Sequence, residues 1–176
     1  MEMRRCGFGW HAPRVHDVAA VEIFRVPGST ELADITAGLL GQLPSWFGIA
    51  EANVAYAEAA NRLPGLVART DAGVVGVLLC QRHFPEAAEI HLMAVSPSWH
   101  QQGVGSALVS AVVSDLVADG CLLLQVKTLG ASSPDEGYAR TRAFYRSVGF
   151  LPLEETNDLW ANNPCLIMVR SLAPPC

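Results

Sequence analysis

The spacing of apolar and polar positions changes period several times along this chain, and each change marks an element. Val21-Glu22-Ile23-Phe24-Arg25-Val26 alternates and is rich in strand formers, so it predicts a first strand, broken by Pro27-Gly28. Ser29 or Thr30 then caps a helix through about Leu40, which Gly41 and Pro44 end. After the aromatic turn Trp46-Phe47-Gly48, the alanine-rich stretch from Glu51 to Leu63 predicts a second helix, stopped by Pro64. Gly65 to Arg69 and Val74 to Cys80 flank Asp71-Ala72-Gly73, a hairpin turn. A loop containing Pro85 leads into another strand, Glu89 to Val95.

From Gly103 to Asp119 the period becomes helical. Val104, Leu108, Ala111, Val112 and Leu116 share one stripe, while Ser106, Ser110 and Ser114 share another, and Gly120 supplies the stop. Cys121 to Thr128 is the largely apolar run of a buried central strand. Ser133-Pro134-Asp135-Glu136 reads as a helix start, with Ser133 as cap, Pro134 at the first helical position and Glu136 closing a capping box. That helix ends near Gly149, and Phe150–Leu153 and Cys165–Val169 are the last two strands. The predicted order is strand, two helices, three strands, helix, strand, helix, two strands. This is a single α/β domain, a mixed sheet with helices on both faces. Residues 1–18 show no clear period and read as a flexible extension, so the folded domain is expected over 19–172.

Composition narrows the function classes. The 17 acidic residues outnumber the 12 basic ones, giving a net charge of -5, which argues against a nucleic-acid partner. No apolar run reaches the roughly 18 residues a membrane span needs, and no apolar segment of a signal peptide follows the charged first residues. The five cysteines are odd in number and form no C-x-x-C pair, which argues against a zinc site or a disulfide framework. Cys80, Cys121 and Cys165 sit in apolar runs as small hydrophobes; with no export signal, the free thiols point to the cytoplasm.

The chemistry concentrates between Glu89 and Phe150. A strand ending in Met93-Ala94-Val95 runs through a short polar loop into Gly103-Val104-Gly105-Ser106, which opens a helix. A helix N-terminus has unpaired N–H groups and the positive end of the dipole, and glycines there leave room for a pyrophosphate. The P-loop lysine is missing, and Leu108 stands where the dinucleotide fingerprint needs glycine or alanine.

At these residues the chain resembles the GNAT N-acetyltransferase superfamily, whose acetyl-CoA motif is [RQ]-x-x-G-x-[GA] after the fourth strand. Here it reads His100-Gln101-Gln102-Gly103-Val104-Gly105, with histidine in the place of the usual arginine or glutamine. The second half of the family pattern, a helix ending in tyrosine followed by Gly-Phe, reads Arg142-Ala143-Phe144-Tyr145-Arg146-Ser147-Val148-Gly149-Phe150. The resemblance implies a sheet of about six or seven strands, about four helices on both faces, and a splay between the fourth and fifth strands. It implies acetyl-CoA as cosubstrate, no metal, and an amine as acceptor. The cofactor would lie against Met93, Ala94 and Val95, where the family's fourth strand bulges, and against His100 to Ser106 and Tyr145.

Direct attack of an amine on a thioester needs a proton acceptor for the amine and a donor for the departing thiolate. Tyr145 stands where the family's general-acid tyrosine stands; Tyr138, seven residues earlier on the same helical face, is a second candidate for that role or a packing residue. Glu89, His91 and Met93 alternate and are expected on one strand face. Glu89 occupies the position of the glutamate base in the histone-acetylating branch, or is a solvent-facing strand end or a salt-bridge partner. His91 has a base-compatible pKa, or is a hydrogen-bonded interior histidine. The Val95 amide is the candidate oxyanion donor, and Lys127 and Thr128 are expected beside the cleft. Trp46, Phe47 and Asn53 are the candidate acceptor-binding residues. The loop from Trp160 to Pro164 either closes the site or makes a homodimer contact. Two other readings stand beside an acetyltransferase of small-molecule, peptide or protein amines. One is a toxin that acetylates aminoacyl-tRNA; the other is a non-catalytic acyl-CoA-binding module.

Overall fold

The computed structural model describes residues 21–43, 50–160 and 162–173. The expected lead-in, residues 1–18, and the Trp46-Phe47-Gly48 turn lie outside the described residues. In chain order the elements are β1 (Glu22–Val26), α1 (Thr30–Leu40), α2 (Ala50–Ala60), β2 (Gly65–Thr70), β3 (Gly73–Phe84), β4 (Ala87–Val95), α3 (Val104–Ala118), β5 (Leu123–Leu129), α4 (Glu136–Ser147), β6 (Leu151–Thr156) and β7 (Cys165–Ser171). A single 3₁₀ turn, Pro97–Trp99, links β4 to α3. The seven strands form one sheet in the order β1-β2-β3-β4-β5-β7-β6. Every described pairing is antiparallel except β4 with β5, which is parallel.

The sheet carries a core on each face. On one side α1 and α2 cover it, with Leu32, Leu39, Leu40 and Ala60 packed on Val67, Val77, Leu79, Leu92 and Ala94. On the other, Val104, Leu108, Val109, Val112 and Leu116 of α3 meet Leu78, Ile90, Leu124 and Met168, together with Tyr145 and Phe150. The stripe read from the sequence of α3 is thus the buried one. Strand β3 runs four residues beyond its expected end at Cys80, because Pro85-Glu86 makes a tight connection to β4 rather than a loop.

The start of α4 differs from the expectation. Asp135, not Ser133, is the cap: its side chain accepts from the Tyr138 N–H at 2.8 Å. The Ser133 N–H is turned back to Gly130 O, and Glu155 of β6 accepts from the Ala131 and Ser132 N–H groups. The segment before Asp135 is therefore fixed as a turn tied to β6. Among the described residues, no helix is long and apolar enough to cross a membrane.

Phe150 is fully buried where α4 returns to the sheet, against Tyr145 with ring centroids 5.4 Å apart. Phe150→Ala should lower unfolding free energy by about 3–5 kcal/mol. Urea denaturation gives the value, and a loss below about 1 kcal/mol would contradict this account of the core.

Candidate active site

The site begins where two strands part. β4 and β5 pair only from Ala87–Leu123 to Ile90–Val126; beyond that point β5 pairs with β7 alone. The opening is a cleft of about 800 Å³ that passes through the sheet.

A β-bulge sits at the fork. In the β3–β4 ladder Leu79 faces Leu92 and Cys80 faces Ile90, so His91 has no partner across the ladder. The extra residue reverses the faces of β4. Ala88 and Ile90 belong to the α3 side, whereas Leu92 and Ala94 belong to the α1 side. The bulge therefore lies before Met93-Ala94-Val95, not within it. It also corrects the expectation that Glu89, His91 and Met93 share a face: Met93 packs on the α3 side, while His91 meets the ring of Tyr56 on α2 edge-on at 5.6 Å.

The cleft edge of β4 follows from its hydrogen bonding. The Ser96 N–H donates to Val75 O at 2.8 Å, and bonding to one neighbour alternates along an antiparallel strand. Ala94 and Leu92 therefore bond to β3, and Val95 and Met93 turn their peptide groups to the cleft. His100 bends back and donates from Nε2 to Val95 O at 2.8 Å, which leaves the Val95 N–H as the donor aimed into the opening.

The glycine turn builds the other end. Gly103 caps α3 at φ +83, and Gln101 adopts φ +61; both are left-handed. A side chain on Gly103 would meet nothing within 4 Å, so this glycine is there for its backbone angle. The first intrahelical bond of α3 runs from the Ala107 N–H to Gly103 O, so the Val104, Gly105 and Ser106 N–H groups precede the ladder at the cleft mouth. Gly105 has a different reason: a Cβ there would lie 3.2 Å from Phe144 Cζ. The residues present thus fit an acyl-CoA. Open amides and a helix dipole suit its diphosphate, and an unpaired strand edge suits its amide-bearing arm.

Among the expected cofactor residues, Met93, Ala94, Val95, His100, Gln101, Gly103, Val104, Gly105, Ser106 and Tyr145 all line the cleft. Gln102 does not; its side chain donates to Ser98 O and braces the turn. Asn53 is also absent from the lining, and Trp46 and Phe47 lie outside the described residues. Lys127 and Thr128 line the cleft, as does Trp160.

Glu89 is buried outside the lining, and its carboxylate is fully engaged. It accepts from Lys127 Nζ and His83 Nε2, each at 2.8 Å, and from Gln125 Nε2 at 2.7 Å. Burial alone would raise its pKa, but these hydrogen bonds and the Lys127 charge outweigh that and hold it below the usual carboxylate range. His91 is pushed down from 6.5, chiefly by burial, so it is neutral at pH 7. Tyr145 is buried and pushed up, by burial first and the Tyr56 hydroxyl second, so its phenol keeps its proton. No hydrogen bond to the Tyr145 hydroxyl occurs among the described residues.

Sequence reasoning missed Tyr56, the lone aromatic in the alanine-rich α2, one helical turn after Asn53. With it, all three tyrosines of the chain line one cleft. His83, the third strand's contribution to the Glu89 cluster, was missed as well.

Because Glu89 is depressed in the folded state, its stabilisation is present above the ordinary glutamate pKa, about 4.3, and is lost as pH falls through the lowered value. Glu89→Gln should cost about 1.5–3 kcal/mol at pH 7, and the gap to wild type should close in acid. Chemical denaturation from pH 7 to 3 tests this, and a pH-independent gap would contradict it. Gly105→Trp should keep the fold by circular dichroism and lose coenzyme A binding by calorimetry; undiminished affinity would rule out the glycine turn as the cofactor cradle.

The fold is shared with solved proteins. A protein from Desulfovibrio desulfuricans assigned to the GNAT acetyltransferase family superposes with a TM-score of 0.75 at 21% identity, covering 88% of this chain and 100% of the other. The ribosomal-protein-S18-alanine N-acetyltransferase of Escherichia coli gives 0.69 at 15%, covering 88% and 97%. A GNAT acetyltransferase from Elizabethkingia anophelis with acetyl-CoA bound gives 0.64 at 16%, covering 86% and 97%. No curated protein matches the sequence. The family described as acetyltransferase (GNAT) domain matches residues 62–152, from just after α2 into β6, which spans the fork, the glycine turn and Tyr145. The chain belongs to the GNAT acetyltransferase family and is an acyltransferase that draws on acetyl-CoA.

Proposed function

We propose that the protein transfers the acetyl group of acetyl-CoA to a primary amine by direct attack, in the cytoplasm. The observation that carries this reading is the meeting of three groups in one cleft: the Val95 N–H at the strand edge, the neutral His91 at the bulge, and the protonated Tyr145.

The roles follow from proton states. An alkyl ammonium, with a pKa near that of lysine, about 10.4, must lose a proton to become a nucleophile. His91 takes that proton, directly or through water, since a neutral imidazole can accept one. Glu89 is a poorer acceptor, because Lys127, His83 and Gln125 already occupy it. We assign it to holding the fork. The Val95 N–H receives the negative charge that grows on the thioester oxygen. Tyr145 donates to the departing thiolate, and its raised pKa keeps the phenol protonated until then. The Val104, Gly105 and Ser106 amides hold the diphosphate.

The loop at Trp160 stands at the cleft wall, which supports the closing role over a homodimer contact. The acidic balance keeps aminoacyl-tRNA as the less favoured acceptor. A module that only binds acyl-CoA has no need of a protonated phenol in the cleft.

Saturating acetyl-CoA, at about 100 times its Kd, should add roughly 2.7 kcal/mol of stability, and ATP should add none. Tyr145→Phe should lower kcat by about 10²–10⁴-fold with acetyl-CoA affinity kept. His91→Gln should remove the acid limb of the kcat profile, which in wild type falls through an apparent pKa below 6.5. Full turnover in Tyr145→Phe removes its acid role, and an unchanged acid limb in His91→Gln removes the base role.

A further inference from the structure

The acceptor half of the cleft has its own chemistry. The cleft lining includes Leu43, Tyr56, His91, Lys127, Tyr138 and Trp160. Four of these six carry a ring. No aspartate or glutamate lines the cleft among the described residues. The nearest buried carboxylate, Glu89, is turned away and engaged by Lys127, His83 and Gln125.

An amine acceptor with several positive charges needs carboxylates to receive them, since each uncompensated charge taken from water is costly. Here a second ammonium would meet Lys127 and a neutral His91 instead. A flat apolar body, by contrast, finds rings to lie against, at little entropy cost because those side chains have two rotatable bonds each. Tyr56 and His91 meet edge-on at 5.6 Å, which sets two rings side by side on the cleft wall. Burial first, and Tyr56 second, push both Tyr138 and Tyr145 up, so the three phenols are neighbours.

We infer that the acceptor is a monoamine carried on an aromatic or otherwise flat apolar body, and that Tyr56, Tyr138 and Trp160 select it against polyamines and aminoglycosides. This rests on the transferase reading above and narrows its substrate class. In the step itself the amine nitrogen forms the new bond to the acetyl carbon and the carbon–sulfur bond breaks. The ammonium's first proton goes to His91 and on to water; the second leaves the nitrogen of the tetrahedral adduct and, through water, restores the Tyr145 phenol after that phenol has protonated the thiolate.

The test is an acceptor panel: 2-phenylethylamine, tryptamine, ethanolamine, spermidine and kanamycin, followed by release of free thiol from acetyl-CoA. Acetyl-CoA binding is measured by calorimetry on the same sample. The two aromatic monoamines should exceed the other three in kcat/KM by about ten- to a hundredfold. Tyr56→Leu, which keeps the apolar volume, should raise KM for 2-phenylethylamine about tenfold with acetyl-CoA affinity unchanged. Preference for spermidine or kanamycin overturns the inference, as does a Tyr56→Leu enzyme with wild-type KM. Acetyl-CoA binding with no aromatic amine acetylated also overturns it and leaves the transferase reading standing. Failure to bind acetyl-CoA removes both.

Discussion

The site depends on how the sheet survives being split. Two neighbouring central strands that part leave peptide groups unpaired in the interior, and such groups are costly unless something replaces the ladder. Glu89 sits one rung before the last paired rung of β4 and β5, Ile90–Val126, and joins three strands with one carboxylate: His83 from β3, and Gln125 and Lys127 from β5. Charged hydrogen bonds are about twice as strong as neutral ones, so a single side chain can hold the point of divergence. Beyond it, the strands open without unzipping the ladder behind them.

The bulge at His91 turns this opening into a site. Without the extra residue, β4 would keep one set of side chains on each face, and the strand would continue as a regular wall. With it, His91 is set between the two faces, Leu92 and Ala94 return to the α1 core, and Met93 faces α3. The same irregularity frees peptide groups on the β5 side. Structure and chemistry therefore share a cause: the residue that breaks the ladder is also the one with a pKa suited to taking a proton.

Much of the fold could be read in the sequence, since α3, β5 and α4 have clear periods or caps, and the glycine turn and Tyr145 stand in a specific motif. The bulge could not. Ile90-His-Leu-Met-Ala lies in a strand buried on both faces, where apolar residues occupy both registers and no alternation reveals a slip. The cap of α4 was misplaced by two residues: the Asp135 side chain takes the Tyr138 N–H, the Asp135 N–H closes a turn on Ser133 O, and Glu155, far along the chain, ties down the Ala131 and Ser132 amides just before it. Tyr56 was hidden by its neighbours: α2 is mostly alanine, so no stripe singles out the side facing the cleft. The partners of Glu89 are six to 38 residues away, so its carboxylate could be read equally as a base or as an anchor.

The two ends of the cleft are mechanically joined through Gly105. Its missing Cβ lets Phe144 approach α3, and Phe144 stacks edge-on with Tyr145 at 5.3 Å, which stacks in turn on Phe150 at 5.4 Å. A ring row this tightly packed has few alternative arrangements. The amide cradle of α3 and the buried phenol of α4 are thus set by one another, and Phe150 anchors the row in the core. The spacing from the proposed diphosphate site to the proposed proton donor is therefore built by packing, not by any side chain that touches both. A glycine in a phosphate motif is usually explained by room for the ligand; here Gly103 supplies the left-handed backbone turn, and Gly105 lets α3 and α4, the helices of the two proposed half-sites, approach through Phe144.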